Sequence, residues 1–94
     1  MNDELIEIHA IFTGRVQGVG FRAKARQEAM RRGIKGSVRN LSDGNVELYA
    51  YGKRQTIMEL KKVLSDFQGP GNVSPIVFDE IFPGHPYVDF NIQY

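Results

Sequence analysis

The feature that most narrows what this chain can become is a change of period at a run of glycines. Residues Leu5 to Thr13 alternate: Ile6, Ile8, Ala10 and Phe12 share one face, and Glu7, His9 and Ile11 share the other, as in a half-buried strand. The alternation stops at Gly14-Arg15-Val16-Gln17-Gly18-Val19-Gly20. From Phe21 to Arg32 the apolar spacing becomes four, with Phe21, Ala25 and Ala29 on one stripe of a helix. Gly33 is placed to stop that helix in the left-handed conformation that other residues resist.

Ser37 to Asn40 reads as a short strand, Ser42-Asp43-Gly44-Asn45 as a tight Asp-Gly hairpin turn, and Val46 to Tyr51 as the return strand. A second helix covers Arg54 to Phe67, with Ile57, Leu60, Leu64 and Phe67 on one face and Thr56-x-x-Glu59 in the form of a capping box. Gly69-Pro70-Gly71 breaks the chain direction, and two more strands follow, Ile76 to Phe82 and Tyr87 to Tyr94. The order β-α-β-β-α-β with an added C-terminal strand predicts an α+β fold. It is a ferredoxin-like α/β sandwich, with two helices on one face of a mostly antiparallel sheet.

Size sets the outer limits. At 94 residues the chain is expected to be one domain, residues 1–94, and is too short for a doubly wound nucleotide-binding fold. A hydrophobic fraction of 41% excludes global disorder. The absence of cysteine removes disulfides, thiolate metal sites and a cysteine nucleophile. No apolar run nears the ~18 residues of a membrane span, and Met1-Asn2-Asp3-Glu4 lacks the layout of a signal peptide. The expectation is a cytoplasmic monomer with no membrane partner.

Charge is concentrated. Arg15 to Arg39 holds eight basic residues against Glu28 alone, a net +7 that leaves the rest of the chain at −6. Such a block draws anions, and it is also what a solvated helix face looks like. Topology adds placement. A right-handed crossover makes the first two strands parallel, so they end at the same edge of the sheet. The glycine loop leaves the first strand, Arg22 sits in the first helical turn, and Asn40 ends the second strand, so Arg22 and Asn40 are predicted to meet at one rim. Loop N–H groups and the helix N-terminus favour an anion there, and Arg22 adds a planar donor fork suited to a phosphoryl group. A plain tight turn with an exposed arginine would use the same residues. Two other phosphate motifs fail in context. Gly18-x-Gly20-x-x-Ala23 fits a dinucleotide fingerprint but is followed by a hairpin, and a Walker A loop does not end Gly20-Phe21-Arg22.

Gly14-Arg15-Val16-Gln17-Gly18-Val19-Gly20-Phe21-Arg22 resembles the signature loop of the acylphosphatase family. Val38-Arg39-Asn40-Leu41-Ser42-Asp43-Gly44-Asn45-Val46-Glu47 resembles its second signature, and the likeness continues through Gly33-Ile34-Lys35-Gly36, Gly69-Pro70 and Phe90-Asn91-Ile92-Gln93-Tyr94. The resemblance implies a ferredoxin-like sandwich that hydrolyses carboxyl-phosphate anhydrides, with a small-molecule acyl phosphate as partner. It implies Arg22 as the phosphate-binding arginine and Asn40 as the water-positioning asparagine. Arg15, Val16, Gln17, Gly18, Val19 and Gly20 would form the amide cradle. No cofactor and no metal are expected. The chain departs from the family in having Ser37, where Trp is common, and Leu41-Ser42, where Pro or Thr-type residues are common.

Other polar residues fit structural roles. His9 reads as a surface or structural histidine, His85 as an exposed loop residue, and Asp43 as a turn former. Two alternatives compete with hydrolysis. One is a non-catalytic phosphate-binding module. The other is RNA binding on a sheet face carrying Tyr49 and Tyr51. The glycine-aromatic motif lies in a loop rather than on a central strand, so no nucleic-acid partner is expected.

Overall fold

The structure, a computed structural model, describes residues 4–18, 20–69 and 71–94. The expectations placed on Met1 to Asp3, Val19 and Pro70 lie outside the described residues. The elements run β1 (Leu5–Gly14), α1 (Phe21–Arg31), β2 (Lys35–Asn40), β3 (Val46–Lys53), α2 (Arg54–Ser65), β4 (Val73–Ile81) and β5 (Phe90–Gln93). The five strands form one sheet in the order β4-β1-β3-β2-β5. β3 pairs antiparallel with both β1 and β2, so β1 and β2 point the same way with β3 between them. β4 is antiparallel to β1, and β5 is the one parallel addition, beside β2.

The alternation read from the sequence becomes the core. Ile8 faces Ala50, Ala10 faces Leu48 and Phe12 faces Val46 across β1 and β3, all six buried. α1 lays Phe21, Ala25 and Ala29 on this face, and α2 lays Ile57, Leu60 and Leu64 on it. Ring centroids of Phe12 and Phe21 lie 5.5 Å apart, and those of Phe21 and Phe67 5.3 Å apart. Aromatic contacts of this kind add stability beyond area burial. They fix the first turn of α1 against the end of β1, where the glycine loop sits.

Several local expectations are corrected. α2 begins at Arg54 as expected, but Lys53 is its N-cap and Thr56 lies inside the first turn, its Oγ1 donating to the Lys53 carbonyl at 2.8 Å. Thr56 and Glu59 therefore make no capping box. α2 stops at Ser65, β4 starts at Val73 rather than Ile76, and β5 starts at Phe90 rather than Tyr87. The β2–β3 connection spans residues 41–45 rather than a two-residue turn. Leu41 N–H bonds Asn45 C=O at 2.8 Å, and the Asp43 carboxylate accepts Asn45 N–H at 3.0 Å. Gly33 takes φ 69°, the conformation expected of it after α1. Ser37 stands opposite Tyr49 on the face away from the helices, so its small side chain leaves the main core unchanged.

Candidate active site

The loop between β1 and α1 is shaped by its glycines. Gly14 has φ +107°, and a Cβ there would meet the Asn72 carbonyl oxygen at 2.1 Å, so only glycine fits. Arg15 N–H donates to Asn72 C=O and Val16 N–H to Gly14 C=O, both at 2.9 Å. Those two amides are thus spent inside the protein, and the Val16 side chain is buried in the core. Of the described loop residues this leaves the amides of Gln17, Gly18 and Gly20 as the available part of the cradle.

α1 opens directly from this loop. Gly20 is its N-cap at φ 84°, with no side-chain cap and no acid in the first turn. The first i to i+4 bond is Lys24 N–H to Gly20 C=O, at 3.0 Å. The amides before Lys24 are the donors a helix start leaves without an intrahelical acceptor, and together with the helix dipole they favour an anion. A cavity of about 160 Å³ lies here, lined by Val16, Gly18 and Gly20 on the loop, Phe21 to Ala23 on the helix, and Ile92 and Tyr94 at the chain end.

Arg22 lies at the wall of this cavity. Its Nη1 donates to the Gln93 carbonyl at 3.4 Å, a long bond, and its guanidinium stands 4.9 Å from the centroid of the Tyr94 ring. Asn40 is the exposed last residue of β2. It pairs with Val46, which points into the helix-covered core, so Asn40 stands on the same face as α1. It also lies one step beyond Arg39, which pairs with Gln93. The end of β5 therefore brings the Arg22 and Asn40 positions to one rim. The side chain of Gln17 crosses to this strand end as well, donating from Nε2 to Leu41 C=O and Asn45 C=O, both at 2.8 Å. Sequence spacing carried no sign of that contact.

Half of the basic block, Lys24, Arg31, Arg32 and Arg39, is paired with carboxylates elsewhere. Glu28, 3% exposed, is approached by Lys24 at 3.0 Å, Arg31 at 3.2 Å and Arg32 at 2.5 Å. The Arg32 hydrogen bond, then that of Lys24, outweigh burial and bring the Glu28 carboxyl down to about 2. Among the described residues, neither Arg15 nor Arg22 is in an ion pair with a carboxylate. A larger hollow of about 420 Å³ opens at the other end of β1 between Leu5 and Phe82, lined by Glu4 and Glu80, whose carboxylates share Arg54 at 2.9 and 3.0 Å.

The face of the sheet away from the helices is covered in part by residues 82–89. Glu7 is fully buried there, accepting from Gly84 N–H at 3.2 Å, from Tyr87 Oη at 3.0 Å and from His85 Nδ1. Burial pushes the Glu7 carboxyl up, and these donors more than offset it, so the net direction is down. His85 is exposed as expected but also ties this strap to Glu7. His9 is structural, bonding Glu47 at 2.8 Å. The ring of Tyr49 packs with those of His9 and His85, at centroid distances of 4.7 and 5.5 Å.

Fold and rim together define a ferredoxin-like sandwich whose strand-to-helix loop leaves amides and the Arg22 guanidinium open beside one cavity. Comparison with known families matches the acylphosphatase family over residues 8–92. An acylphosphatase of Bacillus pumilus is 39% identical over 89 residues, covering 95% of this chain and 99% of its own. The solved acylphosphatase of Coxiella burnetii superposes with a TM-score of 0.80 at 37% identity, over 95% of this chain and 93% of that one. The crystal structure of the Bacillus subtilis acylphosphatase gives 0.82 at 31% identity, over 97% of this chain and all of that one, 100%. The chain belongs to the acylphosphatase family and is, by that membership, a hydrolase. No helix among the described residues is long and apolar enough to cross a membrane.

Proposed function

We propose that this protein hydrolyses acyl phosphates to a carboxylate and inorganic phosphate, with Arg22 and Asn40 as its catalytic residues. The observation that carries the proposal is Arg22, which has no carboxylate partner among the described residues, beside open loop and helix amides at the rim where β2 ends. The phosphoryl group sits among the amides of Gln17, Gly18 and Gly20 and the Arg22 guanidinium. Val19 completes the loop in the same reading. The Arg15 and Val16 amides are already bonded within the protein and shape the loop.

Little further chemistry is needed. The oxygen of a water held by the Asn40 side-chain carbonyl attacks phosphorus in line, and the bond from phosphorus to the acyl oxygen breaks. That bond's electron pair leaves with the carboxylate, whose conjugate acid has a pKa near ~4, so no general acid must protonate it at neutral pH. The water's proton passes to a phosphoryl oxygen, because a carboxamide is a poor base. Charge developing on the phosphoryl oxygens is met by donors already fixed in place. No step uses a metal or a cofactor. The proposal takes residues 1–94 as one domain and the protein as a cytoplasmic monomer that acts on a small molecule rather than on nucleic acid.

An ultraviolet assay of benzoyl phosphate hydrolysis tests this. Turnover is expected in excess chelator, with inorganic phosphate competing for the site. Phosphate binding without turnover would instead identify a non-catalytic phosphate-binding module.

A further inference from the structure

We infer that Gln17 is a positioning residue, its side-chain amide setting the distance between the phosphate loop and Asn40. The inference rests on the hydrolytic reading above. It deepens that reading by assigning work to a side chain where only a backbone amide was invoked.

The geometry is specific. A primary amide nitrogen carries two N–H groups, and Gln17 uses Nε2 for two bonds of 2.8 Å, to Leu41 C=O and Asn45 C=O. Leu41 directly follows Asn40, and Asn45 directly precedes Val46. Asn40 and Val46 are the last cross-strand pair of β2 and β3. One nitrogen therefore grips the chain on both sides of the pair that contains Asn40, and its own backbone belongs to the loop that would hold the phosphate. The same Asn45 carbonyl also accepts Leu41 N–H at 2.8 Å, so the clasp and the turn share an acceptor. The connection's other bonds, Leu41 N–H to Asn45 C=O, Gly44 N–H to Leu41 C=O and Asn45 to the Asp43 carboxylate, close it on itself, whereas the Gln17 side chain ties it to the phosphate loop, and the Asn40 side chain is exposed. In-line attack depends on where the water sits, and small misplacements of a catalytic group lower rates steeply.

Substitutions separate this role from mere packing. Gln17→Glu keeps the shape, removes both donors and turns a charge toward two carbonyl oxygens. Gln17→Asn keeps the donors but is one methylene too short to reach. Gln17→Ala removes the group. The experiment measures kcat on benzoyl phosphate and the inhibition constant of inorganic phosphate for wild type, each Gln17 variant, Asn40→Ala and the Gln17→Ala, Asn40→Ala pair, with folding checked by circular dichroism. All three Gln17 variants are expected to lose about 10-fold in kcat while the phosphate inhibition constant moves less than about 2-fold. In the Asn40→Ala background, Gln17→Ala is expected to cost nothing further, because the residue it positions is gone. An unchanged kcat in Gln17→Glu, an equal loss in both backgrounds, or a matching loss of phosphate affinity would each overturn the assignment. A wild type without turnover would remove the hydrolytic reading and this inference together, whereas an active wild type with uncoupled variants removes the inference alone.

Discussion

The two ends of α1 carry the same kind of residue to opposite use. Toward the C-terminal end, Lys24 reaching forward from the first turns and Arg31 and Arg32 reaching back converge on the buried carboxylate of Glu28, and their charge is consumed in holding the helix together. At the N-terminal end, among the described residues, Arg22 faces a carbonyl at 3.4 Å and the ring of Tyr94, with open helix amides beside it. A net charge of +7 over Arg15 to Arg39 therefore says little by itself. What separates a structural cation from a binding one is whether the protein already supplies its counter-charge.

The largest expected break in this contrast is Arg22→Ala. Benzoyl phosphate turnover should fall on the order of 10²-fold or more, and inorganic phosphate should cease to inhibit, with the fold retained. Near-normal turnover in that variant would remove Arg22 from the site. At the other end, Glu28→Gln leaves three cations gathered without their counter-charge. Urea unfolding should show a loss of roughly 1–3 kcal/mol, while kcat per folded molecule is unchanged. A large drop in kcat would mean that the two ends of the helix are not separable.

Acid sharpens the same comparison. Glu28 is held below its ordinary 4.5, at about 2, so its contribution is full above 4.5 and is lost as pH falls from there toward 2. The stability of the wild type should therefore decline across that window more steeply than that of Glu28→Gln. Parallel curves would show that the carboxyl is not held down. Glu7, also lowered, adds to the decline in both proteins and cancels in the difference. The smallest effect is expected from Arg31→Ala. Its side chain is 66% exposed, and the change should stay within about 0.5 kcal/mol in stability with unaltered turnover.

What was legible in the sequence was whatever repeats locally. Period two in Leu5 to Thr13, spacing four in Phe21 to Arg32 and the left-handed Gly33 name their elements because each reports a face or a dihedral angle of its own segment. Parallel β1 and β2 follow from chirality, which brings the ends of Gly14 and Asn40 to one edge before any contact is known. Contacts across large separations leave no such trace. Glu7 looked like one more residue of the open face, yet Gly84, His85 and Tyr87 return over it from the far end of the chain and bury it completely. Gln17 looked like one amide of a cradle, and its side chain is spent on carbonyls 24 and 28 residues away. The resemblance places the Arg15 and Val16 amides in the cradle, and the local path of the loop bonds both within the protein. The five-residue turn also differs from an Asp-Gly hairpin because Asp43 caps Asn45 instead of closing two residues tightly.

Division of labour at the rim is the central claim: Arg22 and the loop amides hold the phosphoryl group, and Asn40 holds the water. Asn40→Ala separates the two most directly, read as benzoyl phosphate turnover together with inhibition by inorganic phosphate. The account predicts a loss of turnover on the order of 10²-fold or more with phosphate still inhibiting at close to the wild-type concentration. Near-normal turnover, or phosphate binding lost in step with turnover, would contradict it.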